Sequence, residues 1–287
     1  MQLAREQGIP APVTAHVRSI HELRAMVERI GLPIVLKADG TYGGKGVRVA
    51  RSMEEAESAF QSLRTMSLLW RAAKRSFSDR DMSLLWPSQC RRSYGENVQE
   101  FVFGGEGTSA VACWNGAVLA SLHFEVIARQ YPGGPATVMR RIENSDMSEA
   151  VYSMVERLGL SGMHGFDFML EADTGRAYLI EINPRVTQVG HLALGSGRDL
   201  PSAFYAAVSG KPIREAAKAT ECETIALFPQ EWLRDPKSPY LLTSYHDVPW
   251  EEPKLVRACI RRRHEEWAGY AQLKSTCALA TVSVPQR

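Results

Sequence analysis

The sequence predicts an α+β protein in two lobes, and three observations lead there. A short apolar segment at 33–38, a glycine-rich loop and an alternating segment at 47–50 make a hairpin, flanked by helical periodicities at 19–31 and 52–63. From Asn97 onward strand-like runs dominate, interrupted by one capped amphipathic stretch at 145–159. The chain has 287 residues, 45% apolar and 23% charged, which is ordinary for a globular protein and long enough for two substantial cores.

Along the chain, "MQLAREQ" reads as a helix and "GIPAPV" as extended. "SIHELRAMVERIG" opens with Ser19 as N-cap and Glu22 three residues later, a capping-box pattern, with Ile20, Leu23, Met26, Val27 and Ile30 at helical spacing. "PIVLKA" and "VRVA" are the strands of the glycine-tipped hairpin, and "SMEEAESAFQSL" is a second capped helix. The pentapeptide MSLLW then occurs twice, at 66–70 and 82–86; it is too short for a solenoid repeat and reads as a helical excursion over 64–95 with two similar apolar contacts. "NVQEFVF", "GTSAVACW" and, after an Asn-Gly turn at 115–116, "AVLASLHFEVIA" are strands. The loop "YPGGPA" precedes the helix at 145–159. "GFDFMLEADTGRAYLIEINPR" is a hairpin turning at Asp173-Thr174-Gly175, and 199–210 is a helix ended by glycine. Residues 213–287 hold a possible strand, "TIALFPQEW", several prolines and a basic-acidic helix, with no functional reading. The division expected is therefore 1–96, 97–212 and a C-terminal extension at 213–287.

Composition excludes several classes. A net charge of +2, with no basic stripe interleaved with aromatics, argues against nucleic acid, and Arg261-Arg262-Arg263 is followed by Glu265 and Glu266 as on a solvated helix face. Five scattered cysteines without CxxC spacing indicate neither a disulfide framework nor a zinc cage. No signal peptide or long apolar run is present, so a cytoplasmic protein with no membrane partner is expected.

Three constellations carry chemistry. In "YLIEINPR", Glu181 and Asn183 share a strand face, and hairpin pairing brings Asp167 opposite the Glu181 region. Two carboxylates and an amide oxygen suit Mg²⁺, with Mn²⁺ as an alternative; the competing reading leaves Asp167 and Glu181 as separately solvated rim residues. In "VLKADGTYGGKGVRV", the glycines let backbone N–H groups fold over phosphates, and Lys37 can reach a phosphate from the preceding strand, with Val35 on its face for a base. In "VQEFVFGGEGTSAV", an apolar strand breaks at Gly104-Gly105 with Glu106 beyond, as a hinge between lobes or simply as an edge strand ending in a turn.

The order of these pieces, with "IEINPR" as the most specific, resembles the ATP-grasp superfamily over residues 7 to 210. That resemblance implies two α+β lobes with ATP bound between them. It implies Lys37 on the phosphates, Gly43, Gly44, Lys45 and Gly46 as the flap running into Val47, and Val35 and Met169 about the adenine. Gln99, Glu100, Phe101 and Val102 would form the adenine-reading strand, through the Glu100 carbonyl and Val102 amide, and Glu106 would bind ribose. Asp167, Glu181 and Asn183 would be the magnesium ligands. Arg185, with Lys37, would serve the transferred phosphoryl and the carboxylate being activated. The implied reaction joins a small carboxylate to an amine through an acyl phosphate. The loop "YPGGPATVMRR" (131–141) is expected to approach the acceptor, with Arg140 or Arg141 as a carboxylate clamp; the competing reading is a surface loop followed by solvated arginines. Family members carry a preceding α/β domain and a lysine before "GIPAP"; neither is seen here, so the expectation is either a homodimer or partner chain supplying those parts or a truncated start. The alternatives are a non-catalytic ATP-binding or regulatory module and a fragment of a larger synthetase.

Overall fold

The computed structural model describes residues 1–38, 46–65, 96–213 and 217–260. The expectations for Gly43, Gly44 and Lys45, for both MSLLW segments and for the basic cluster at 261–263 lie outside these residues.

The small sheet has four antiparallel strands, β1 (Thr14–Val17), β2 (Ile34–Ala38), β3 (Val47–Ala50) and β4 (Glu96–Glu100), in the order β1-β4-β2-β3. Two helices, α2 (Ile20–Ile30) and α3 (Met53–Thr65), cover one of its faces. Leu23, Met26 and Val27 of α2 and Phe60 and Leu63 of α3 pack on Ile34, Leu36 and Val98. Two-residue alternation then turns Val35 and Lys37 to the uncovered face. Both helices start with a reciprocal cap. Ser19 accepts from the Glu22 N–H while Glu22 accepts from Arg18 N–H, and Ser52 and Glu55 repeat the pattern with Arg51. Such a cap is worth about 1 kcal/mol.

The large sheet has seven strands. They are β5 (Gly104–Trp114), β6 (Ala117–Arg129), β7 (Ala136–Arg141), β8 (Gly162–Glu171), β9 (Ala177–Asn183), β10 (Thr224–Leu227) and β11 (Tyr245–Asp247), in the order β11-β10-β7-β6-β5-β8-β9. All pairs are antiparallel except β10 with β11. Asn115 and Gly116, at φ 49 and 80, make the tight β5–β6 turn in the left-handed conformation that a two-residue hairpin needs. Helices α1 (Gln2–Glu6) and α4 (Ser145–Leu158) cover the back of the sheet, where Ala4, Met147, Val151 and Val155 meet Val111, Phe166, Phe168 and Leu179. On the other face, Leu192, Leu194 and Leu200, the last opening α5 (Leu200–Ser209), pack on Ala110, Leu122 and Phe124.

Three placements differ from the division read in the sequence. Strand β4 belongs to the small sheet, so the chain changes sheets at 101–103, and the glycines at 104–105 start β5 rather than break it. Gly104 (φ +153) is needed there because a Cβ would lie 1.8 Å from the Leu170 carbonyl oxygen. Residues 1–10 pack on the large sheet, with Leu179 N–H donating to Pro10. The segment after 213 is an integral part of the large sheet, because β10 pairs with β7.

Candidate functional site

One group on the uncovered face of the small sheet senses the large sheet. Lys37 is half-buried, and burial pushes its ammonium below the usual lysine range while Glu181 and Asp167 of the large sheet pull it back up. A cation on one sheet is therefore close enough to feel two carboxylates on the other.

On the small sheet, register places Val35 beside Val49 and Gln99, and Lys37 beside Val47 and Asn97. Val47 and Val49 are exposed, so this face presents apolar side chains around one ammonium. Gly46 closes the hairpin by accepting from Ala38 N–H. Gln99 is buried and donates to Thr14 Oγ1. Glu100 is tied elsewhere: its carboxylate accepts from Val13 N–H and its own N–H donates to Val13. Phe101, Val102 and Phe103 form the link between sheets, with Val102 buried and Phe103 exposed.

On the large sheet, cross-strand register assembles the acidic group. Thr108 of β5 lies opposite Asp167 of β8, and Asp167 lies opposite Glu181 of β9, with Gly165 opposite Asn183. Thr108 Oγ1 donates to Asp167 Oδ1 (3.0 Å) and Asn183 Nδ2 donates to Asp167 Oδ2 (2.7 Å). Glu181 is exposed on the same face. Met169 lies opposite Glu106 one step along. Arg185 is exposed two residues past Asn183, its N–H bonded to the Asn183 carbonyl.

The predicted donors Asp167, Glu181 and Asn183 are thus brought together. The set is two carboxylates and an amide; among the described residues no group of three or more His, Cys, Asp or Glu gathers as a metal site. This donor chemistry fits a magnesium ion, which takes one or two carboxylates and completes its shell from phosphates and water. In the present rotamer Asn183 acts as a donor that orients Asp167. The amide turned by 180° presents Oδ1 instead.

Arg140 and Arg141 are not at this site. Arg140 pairs with Glu125, and Arg141 lies near Glu143 and Glu223. The arginine that the sequence reading missed is Arg129. It pairs with Glu106 and donates to the Gly134 carbonyl in the Tyr131–Pro135 turn. Burial lowers its pKa from the ordinary value while Asp167 raises it, which places it beside the acidic group. Simple alternation in β6 puts residue 129 on the face of Glu125. A register shift between Val126 and Ala128 turns it over, so that Arg129 sits opposite Ala136 in the cleft-side core.

Comparison with known proteins identifies related domains. A family model described as "ATP-grasp domain" matches residues 86–189, and one described as "Carbamoyl-phosphate synthase L chain, ATP binding domain" matches residues 1–84. Acetyl-CoA carboxylase of Schizosaccharomyces pombe is 27% identical over 210 residues, covering 69% of this chain and 8% of that protein. Biotin carboxylase of Haemophilus influenzae is 26% identical over 242 residues, covering 80% and 49%. Among solved structures, the biotin carboxylase domain dimer of Hydrogenobacter thermophilus 2-oxoglutarate carboxylase, in complex with MgADP, ADP and bicarbonate, superposes with TM-score 0.52 at 16% identity, covering 76% of this chain and 45% of that one. This chain spans less than half the length of these relatives. No helix among the described residues is long and apolar enough to cross a membrane.

Proposed function

Since this chain belongs to the ATP-grasp superfamily, we propose that it is an ATP-dependent ligase that activates a small carboxylate as an acyl phosphate for attack by an amine. The observation that supports the reading is the gathering of Asp167, Glu181 and Asn183 by strand register on one sheet face, with Lys37 on the uncovered face of the small sheet within their electrostatic reach. A nucleotide triphosphate and its divalent ion need a cation on one wall and carboxylates on the other.

Lys37 holds the phosphates as a point charge from the small sheet. Val35 from one sheet and Met169 from the other enclose the base, with Val47 alongside and the Glu100–Val102 stretch along its edge. Glu106, oriented by Arg129, accepts from the ribose. Asp167, Glu181 and Asn183 would hold magnesium, which when bound supplies charge neutralisation between the phosphate oxygens. Thr108 fixes the Asp167 carboxylate in place for that task. In the first half-reaction a carboxylate oxygen forms a bond to the γ-phosphorus, and the bond from that phosphorus to the ADP oxygen breaks. Arg185 meets the incoming carboxylate and the transferred group, two anions that must be held together. In the second half-reaction the amine nitrogen bonds to the acyl carbon, phosphate leaves, and the nitrogen gives up a proton.

Bicarbonate is the first carboxylate to try, because one structural relative carries it together with MgADP. Calorimetry should show MgADP binding to the full chain. ADP release with bicarbonate or another small carboxylate, dependent on an added amine, supports the ligase reading. Binding without turnover across such a screen selects the alternative of a nucleotide-binding module, and no nucleotide binding overturns both.

A further inference from the structure

A cavity opens on the side of the large sheet that carries α4. Its floor is His123 of β6, its walls are Arg141, Ser148 and Tyr152, and the turn carrying Arg198 closes one side with Glu143 at the mouth. The cavity measures about 360 Å³, within the range that holds a small metabolite.

Its interior is built rather than incidental. His123 is only 6% exposed, and both ring nitrogens are engaged: Ser109 Oγ lies 2.7 Å from Nδ1 and Ser148 Oγ lies 3.2 Å from Nε2. Ser148 belongs to the first turns of α4, whose N-terminus is capped by Asn144. The turn at 195–198 is pinned to the sheet by Ser121 N–H donating to Gly197 and is closed by Arg198 N–H donating to Gly195.

Two guanidiniums then lean on a single carboxylate oxygen. Glu143 Oε1 lies 2.5 Å from Arg198 and 3.8 Å from Arg141, yet the Glu143 side chain is 71% exposed. Arg141 has a second, somewhat shorter contact with the exposed Glu223 at 3.5 Å. The two cations are the sheltered members and the carboxylates the solvated ones. An exposed glutamate held by two arginines at the mouth of a polar cavity occupies the place that a ligand oxyanion would take, and it can swing into water at little cost.

We propose that this cavity binds the oxyanion group, phosphate or carboxylate, of a small metabolite, with Arg141 and Arg198 as its donors and Glu143 as the side chain it displaces. The site is separate from the nucleotide cleft and does not depend on the ligase reading. Guanidiniums in pairs bind planar and tetrahedral oxyanions through parallel N–H donors, which is the chemistry this pocket offers.

The test follows the imidazole resonances of His123 by NMR in the full chain, titrated with inorganic phosphate and, separately, with acetate. Saturable shifts in either titration are expected, and the tighter of the two identifies the class of oxyanion. Arg198→Gln should weaken binding about tenfold or more, while Glu143→Gln should tighten it about threefold, because the resident competitor loses its charge. A circular-dichroism melt checks that each variant is folded. Unmoved His123 resonances at tens of millimolar of both anions overturn the proposal. So does a Glu143→Gln variant that binds the tighter of the two anions no better than the parent, a result that stands even if Arg198→Gln does not fold.

Discussion

Replacing Glu181 by glutamine separates charge from shape at the proposed metal position. The side chain is exposed on the cleft face, so the isosteric change leaves packing intact and should alter folding stability by no more than about 0.5 kcal/mol. Its charge, however, is one of the two that act on Lys37 from the large sheet. If Glu181 is one of two carboxylates holding the metal during phosphoryl transfer, its loss removes about 3–4 kcal/mol of transition-state stabilisation, the scale of deleting one preorganised electrostatic group. Turnover then falls by up to about a thousandfold. The assay is steady-state ADP release with MgATP, paired with a urea melt of the same preparation. Turnover within about threefold of the parent, together with unchanged MgADP affinity, would refute the assignment of Asp167 and Glu181 as a metal-holding pair.

Three further outcomes are expected of the same molecule. Because burial holds the Lys37 ammonium below the usual range, nucleotide affinity should fall on the alkaline side earlier than for an ordinary lysine. Calorimetric pH profiles should show that limb move to lower pH in Glu181→Gln, which removes an upward pull, and flatten in Lys37→Arg. At Gly165 an added Cβ would lie 2.2 Å from Thr187 Cγ2, so Gly165→Ala should cost about 1–3 kcal/mol by overpacking, and Thr187→Ser in the same chain should restore most of it in denaturant melts. Glu231 is 0% exposed and paired with Arg234; burial alone would raise its pKa, but the two hydrogen bonds from the Arg234 guanidinium prevail and hold the carboxyl below its ordinary range. Its contribution is therefore present above the unfolded-state pKa and lost as pH falls through the folded value. Glu231→Gln should cost about 3 kcal/mol at neutral pH in urea melts, with a smaller difference at strongly acidic pH.

What the residues determined by themselves was local. The capping pair Ser19 and Glu22, the Asn115-Gly116 turn and the hairpin turn ending at Gly175 each depend on a few neighbouring atoms, and each stands where the sequence places it. The convergence of Asp167, Glu181 and Asn183 was legible because a hairpin turn sets its own register. Even there the packing made the last decision. From Leu170 opposite Ala177 through Phe168 opposite Leu179 the pairing runs evenly, and continued so it would set Glu181 against Phe166 on the buried face. A bulge between Asp167 and Phe168 absorbs one residue of β9 and turns Glu181 into the cleft beside Asp167. The same device in β6 brings Arg129 to the site. No periodicity in the chain announces a bulge, because it arises where two strands must both bury their apolar sides and still agree on a partner. Only the tertiary structure also showed that β10 completes the large sheet, since strand neighbours far apart in sequence are chosen by the surface that remains to be covered.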